Sequence, residues 1–150
     1  MRGQVPGRHE RRRAVSIRAL KRFAVDRVGP AAYMPAAGKI EEGPQVAIVG
    51  AGPAGLAAAH YLSLAGYRST IFEAEDRPGG MMVSAIPAYR LPREGLMTEI
   101  DALLDPNVTL EVKAALGRDF TLDELLSRGF GAVFLATGAH RSRRLDVPGE

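Results

Sequence analysis

Gly50, Gly52, Gly55 and Glu73 are the residues whose types and spacing could do chemistry in this 150-residue sequence. The glycines form Gly50-x-Gly52-x-x-Gly55 directly after the apolar run Val46-Ala47-Ile48-Val49. In such a pattern the first glycine turns the chain sharply out of a strand and the second lets a pyrophosphate approach bare backbone. The third lets the next helix pack closely on the sheet. Pro53 suits the first helical position, where its missing N–H costs little. The helix predicted over residues 54–65 then turns free N–H groups and the positive end of its dipole toward an anion. Ser69-Thr70-Ile71-Phe72-Glu73 is β-branched and aromatic, and ends in an acid 23 residues beyond Gly50, where a second strand would carry a ribose-binding carboxylate. Strand, turn, helix, strand and acid together predict dinucleotide binding.

Other residue types offer less. The sequence has no Cys, which excludes disulfides, a thiol nucleophile and cysteine-ligated clusters within it. His9, His60 and His140 lack the paired spacing and neighbouring acids of a metal site, so no metal is expected. Met81-Met82 could flank a flavin or simply fill a gap in packing. Asp101, Asp105, Asp119 and Asp123 read as helix and turn acids.

The elements that must position the turn follow from the same local signals. Pro92 can open a helix through Leu104 with Leu96, Ile100, Leu103 and Leu104 on one side, and Val108 to Val112 alternates as a strand. Thr121 and Glu124 form a capping-box pattern for a helix from Leu122 to Arg128. Ala132 to Gly138 reads as a buried strand ending in small residues. Arg77-Pro78-Gly79-Gly80-Met81-Met82 reads as a tight loop on the phosphate side of the ligand. Ile86 to Pro92 is too proline-rich for a central strand and reads as a loop against the ligand. Alternating strands and helices predict an α/β Rossmann-like domain with a mainly parallel sheet covered on both faces.

Charge and punctuation set the boundaries. Residues 1–27 hold nine Lys or Arg against two acids, a balance of +7, and the rest holds eleven bases against fifteen acids, a balance of −4. The pI near 9.6 therefore describes an arm more than a domain. Residues 1–28 read as a basic helical arm in which Ile17, Leu20 and Ala24 share an apolar stripe with Phe23 and Val28 beside it, a face that should dock on something. Arg11-Arg12-Arg13 could touch nucleic acid or belong to an organellar presequence, but a solvated or partner-facing arm is the preferred reading. Residues 29–44 read as an extended linker rich in Gly and Pro, and residues 45–150 as the nucleotide domain, which is expected to be truncated. No apolar run reaches the ~20 residues of a membrane span and nothing resembles a secretory signal, so a cytoplasmic protein is expected.

The run Val15-Ser16-Ile17-Arg18-Ala19-Leu20-Lys21-Arg22-Phe23-Ala24 and the Gly50 to Gly55 turn are the first signs of a family. Gly79-Gly80-Met81-Met82, Ile86-Pro87 to Pro92, and Phe134-Leu135-Ala136-Thr137-Gly138-Ala139-His140 follow in the same order. Together they resemble the FAD-binding portion of the glutamate synthase small chain family, and the flavin portion of dihydropyrimidine dehydrogenase is similar. The resemblance runs from about Val15 to the end. It implies a flavoprotein that accepts hydride from NADPH or NADH at FAD and passes electrons to a partner or cluster. By the resemblance, Gly50, Gly52, Pro53, Ala54 and Gly55 hold the FAD pyrophosphate, Glu73 binds the adenosine ribose, and Gly80 and Met81 line the nucleotide. Arg90 contacts the cofactor, Leu116 lies beside the adenine, and Ala136, Thr137 and Gly138 close a second contact. No side chain need be an acid or base, because the flavin accepts the hydride.

Two departures bear on function. Family members with a complete helical iron-sulfur domain carry Cys ligands before the stretch that Val15 to Asp26 resembles. Here that place is Val5-Pro6-Gly7-Arg8-His9-Glu10, which makes an iron-sulfur cluster in this chain doubtful. A nicotinamide domain would follow Val147-Pro148-Gly149-Glu150 in the family, so the NAD(P)H site is expected outside this chain, on a nicotinamide domain or a partner oxidoreductase subunit. The chain alone is then expected to be catalytically incomplete. Two rival readings remain: a non-catalytic nucleotide-binding or electron-transfer assembly module, and an NAD-binding dehydrogenase domain using the same Gly-rich turn. Neither membrane nor nucleic acid is expected as a partner.

Overall fold

The computed structural model describes residues 15–35, 37–139 and 146–147. His9, Arg11 to Arg13, His140 and the terminal Pro148-Gly149-Glu150 lie outside the described residues. Strands β1 (Gln45–Val49), β2 (Arg68–Glu73), β3 (Val108–Val112) and β4 (Ala132–Leu135) form one sheet in the order β3-β2-β1-β4. Every pairing is parallel, with Ile48 beside both Ile71 and Phe134, and Ile71 beside Leu110. The chain builds outward from β1 through β2 to β3 and then returns to the other side of β1. That reversal lies between β1 and β4, where open parallel sheets leave a crevice at the carboxyl ends of their strands.

Period-two alternation in β1 sends its side chains into two cores. Ile48 packs with Leu56 of helix α2 (Pro53–Leu64), Ile71, and Leu96 and Ile100 of helix α4 (Arg93–Leu103). Ala47 and Val49 face the other way, into a cluster with Phe72, Phe120 and Leu125. Leu125 comes from the short helix α5 (Leu122–Ser127), whose capping box forms as its Thr121 and Glu124 predict. The rings of Phe72 and Phe120 stand 4.9 Å apart and tilted, a packing favoured over face-to-face stacking. Between β2 and α4 lies a single helical turn, α3 (Met81–Ser84).

One expectation needs correction. The apolar run from Ala132 makes an edge strand of four residues and is not buried: Phe134 is 43% and Leu135 55% exposed. Among the residues of β4, Val133 packs against the cluster that holds Leu125 of α5, and an apolar run carries no signal that distinguishes an edge from a centre. Helix α1 (Ile17–Val28) does form, yet it buries none of its residues, and Leu20 and Phe23 are 58% and 60% exposed. Its apolar stripe is not docked on the sheet domain.

Residues 29–44 are more structured than an open linker. Pro30–Ala32 makes a 3-10 turn beside α4. Asn107, 4% exposed, then holds the next stretch from 67 residues away: its Oδ1 accepts the Ile40 N–H at 2.8 Å and its Nδ2 donates to the Gly38 carbonyl at 2.9 Å. The same amide donates to Ser63 Oγ at 2.8 Å, and Ser63 donates to Asp105 at 2.6 Å. Such a satisfied network rigidifies what it joins.

Candidate dinucleotide-binding site

The end of β1 is pinned between its neighbours. Gly50 N–H donates to the Phe72 carbonyl at 2.8 Å, and Ala136 N–H donates to the Val49 carbonyl at 2.8 Å. Gly50 has φ +107°, a conformation that L side chains rarely adopt, and a Cβ there would run into the Ala136 carbonyl. Gly55 lies buried under the turn, where a Cβ would meet the Gly50 carbonyl; it is glycine so that α2 can rest against the strand end. Gly52 differs from both. Its φ of −74° suits any residue, and a Cβ would find nothing within 4 Å. The space in front of it is the cleft.

Helix α2 begins at this point with Pro53 in its first turn and no side chain capping it. An uncapped helix start leaves donor N–H groups directed at whatever lies beyond, and the dipole there favours negative charge. Gly80 also lines the cleft, with the buried Gly79 beside it. Gly79 N–H donates to the Ala51 carbonyl at 2.8 Å, and Gly80 approaches so closely that a Cβ on it would stand 2.9 Å from Gly52 Cα.

Glu73, 7% exposed at the end of β2, ties the floor together. One carboxylate oxygen accepts the Ala51 N–H at 2.7 Å and the other accepts the Glu75 N–H at 2.9 Å. Each oxygen keeps a further lone pair for a hydroxyl donor. Arg77 pairs with Asp76 at 2.9 Å at the mouth, and its guanidinium holds the Asp76 carboxyl below the usual carboxylate range.

These groups enclose a cleft of about 980 Å³ running across the strand ends, large for a ligand site on a scale of ~300–1,000 Å³. Gly50, Gly52, Pro53, Ala54 and Glu73 line one part of it, and Gly80, Met81 and Leu116 another. Ala136, Thr137 and Gly138 close the side of β4. Two of the residues expected in the site do not line it. Gly55 is beneath the turn, and Arg90 is exposed on the Pro87–Leu91 turn, held by its N–H to the Pro87 carbonyl. Arg77, in the loop expected on the phosphate side, lines the cleft; sequence reasoning missed Glu75 and Asp76 after β2, Val83 and Ser84 on α3, and Ala114 and Ala115 just past β3. Those after the strands could have been found, because ligands of open parallel sheets lie outside the carboxyl ends of several strands. Nothing local marked Val83 or Ser84.

A second groove of about 460 Å³ lies along α2 and α4, against Leu56, Leu96 and Leu103. It shares Pro53 with the cleft but touches no strand end. Among the described residues no cluster of His, Asp and Glu could hold a metal, and no helix is long and apolar enough to cross a membrane.

Comparison with known proteins agrees with the Rossmann-like fold. Residues 48–97 match the model of the NAD(P)-binding Rossmann-like domain. The chain is 46% identical over 140 residues to the NADPH-Fe(3+) oxidoreductase subunit beta of Geobacter sulfurreducens, covering 91% of this chain and 21% of that protein. It is 38% identical to the glutamate synthase [NADPH] small chain of Bacillus subtilis, covering 91% of this chain and 28% of that one. Among solved structures, FprA from Mycobacterium tuberculosis superposes with a TM-score of 0.62 at 26% identity, over 72% of this chain and 25% of FprA. The chain thus spans roughly a fifth to just over a quarter of these relatives' length. Residues 48–97 thus have the character of an NAD(P)-binding Rossmann-like domain, and the chain is similar to part of the glutamate synthase small chains and NADPH oxidoreductase beta subunits.

Proposed function

We propose that this chain is the FAD-binding part of an NAD(P)H-dependent oxidoreductase that passes electrons from NAD(P)H through FAD to a partner or cluster. The observation that carries the reading is the cradle at Gly52: open space where a Cβ would stand, in front of an uncapped helix start. A diphosphate fits there by shape and by charge. Gly52 and Ala54 hold it, Gly50 shapes the turn and Gly55 supports it from below. Glu73 accepts a ribose hydroxyl through its spare lone pairs, and Leu116 flanks the adenine. FAD is favoured over NAD because two further walls, Gly80-Met81 and Ala136-Thr137-Gly138, extend the cleft beyond the turn. Bound there, FAD would supply the hydride-accepting chemistry, and this chain's residues bind, orient and partly enclose it. NAD(P)H and the onward acceptor belong on a nicotinamide domain or a partner subunit. With no Cys in the sequence, a cluster would sit on other chains or segments.

The NAD-binding alternative rests on the Rossmann-like match over residues 48–97. Titrating the purified chain separately with FAD and with NAD+ decides between them. Near-stoichiometric flavin bands retained through gel filtration support the FAD reading; binding of NAD+ with none of FAD replaces it.

A further inference from the structure

We propose that Arg93 is a positioning residue for the cleft, holding α3 so that Gly80 and Met81 form a fixed wall. This rests on the nucleotide-binding reading above. The guanidinium's four acceptors are all main-chain carbonyls: Met82 and Val83, each at 2.7 Å, Ile86, and a longer contact to Leu91. Two of them end α3 and two belong to the loop that follows it. A helix of one turn is not stable alone, because nucleation fixes several residues for one hydrogen bond. Its last carbonyls have no partners within the helix, and a cation there both satisfies them and opposes the dipole. Arg93 is therefore a C-terminal cap supplied by another element.

The position of Arg93 on its own helix strengthens the argument. It is the first residue of α4, where the dipole disfavours a cation, and Glu94 is the acid of that turn. A residue that violates the local rule needs an offsetting gain elsewhere. Here that gain is the fork of bonds into α3, which a lysine's point charge cannot reproduce. Gly80, Met81, Val83 and Ser84 all line the cleft, so the cap acts on the wall and not on the ligand.

The test compares FAD affinity and amide exchange in the whole chain and in Arg93→Met, Arg93→Lys and Arg93→Ala, with Gly52→Val as control. Arg93→Met is expected to weaken FAD binding by about tenfold or more, the scale of a lost charged hydrogen bond, with Arg93→Lys between it and the parent. The amides of Ser84 and Ala85, which bond to Gly80 and Met81, should exchange faster while those of α2 do not. Guanidinium ion at a few millimolar should restore part of the affinity of Arg93→Ala and none in Gly52→Val. A folded Arg93→Met with the parent's affinity overturns the proposal, as does equal rescue of both variants. If Arg93→Met does not fold, Arg93→Lys decides: weaker affinity upholds the proposal, and unchanged affinity with unchanged exchange overturns it. Absence of FAD binding by the parent chain would instead overturn the nucleotide reading, and the exchange data would still decide whether Arg93 holds α3.

Discussion

A side chain added at Gly52 would project into the cleft, whereas one at Gly55 would strike the Gly50 carbonyl. Gly52→Val should therefore lower FAD affinity by at least about tenfold while leaving the melting temperature within a few degrees, since bulk replaces the space for the pyrophosphate. Gly55→Val should do the reverse of a site variant: an overpacked strand and helix lose about 1–3 kcal/mol, read as a lower urea midpoint. Equal FAD affinity in a folded Gly52→Val would remove the turn from the site. Glu73 serves both fold and ligand, so its substitution has two effects. Glu73→Ala leaves the buried Ala51 N–H without its acceptor, which costs about 1–3 kcal/mol of stability. The same change removes the proposed ribose acceptor. Urea unfolding and FAD titration of one preparation should therefore both shift, and a shift in binding alone would show that the bond to Ala51 contributes nothing.

At the scale of elements, the segment before β1 is fixed by a side chain from the loop preceding β3. Asn107→Ala removes the bonds to Gly38 and Ile40, and the exposed Lys39 between them becomes a better protease site. Trypsin should cut after Lys39 faster in Asn107→Ala than in the parent chain; equal rates would mean that Arg68, which donates to the Gly43 carbonyl at 3.1 Å, suffices as a tether. Helix α1 behaves differently. Leu20 and Phe23 are exposed, so Leu20→Asp with Phe23→Asp has nothing within the domain to release, and the unfolding free energy should stay within about 0.5 kcal/mol. A larger loss would show that the stripe packs against the chain.

For the whole molecule, the sheet offers a single Gly-x-Gly-x-x-Gly turn, and the proposed FAD site uses it. Hydride transfer needs a nicotinamide held at near-attack distance, and positioning of that kind supplies ~7–11 kcal/mol of a barrier. The 150-residue chain mixed with FAD, NADPH and a dye acceptor should therefore turn over well below ~1 per second. Saturable reduction at that rate or faster would place a nicotinamide site on this chain. The basic residues gathered in positions 1–27 leave the remainder acidic, so salt should affect association through the arm far more than it affects nucleotide binding.

Sequence alone determined the strands, the longer helices and the turn, because the signals involved are local. The apolar run before Gly50, the spacing to Gly55, the acid at 73 and the capping box at Thr121 each act within one strand, one turn or one helix start. Tertiary structure decided what depends on strand order and on contacts between distant residues. It made β4 an edge and left Phe134 and Leu135 exposed, although their run reads as a buried strand. It gave Glu73 two backbone partners, brought Asn107 to Ile40 across 67 positions, and drew Ala114 and Ala115 to the cleft. It also separated two nearby arginines: Arg90 is exposed on a turn and does not line the cleft, while Arg93 reaches back to four carbonyls around α3. Residue type is the same at both positions, and only the path of the loop between α3 and α4 tells them apart.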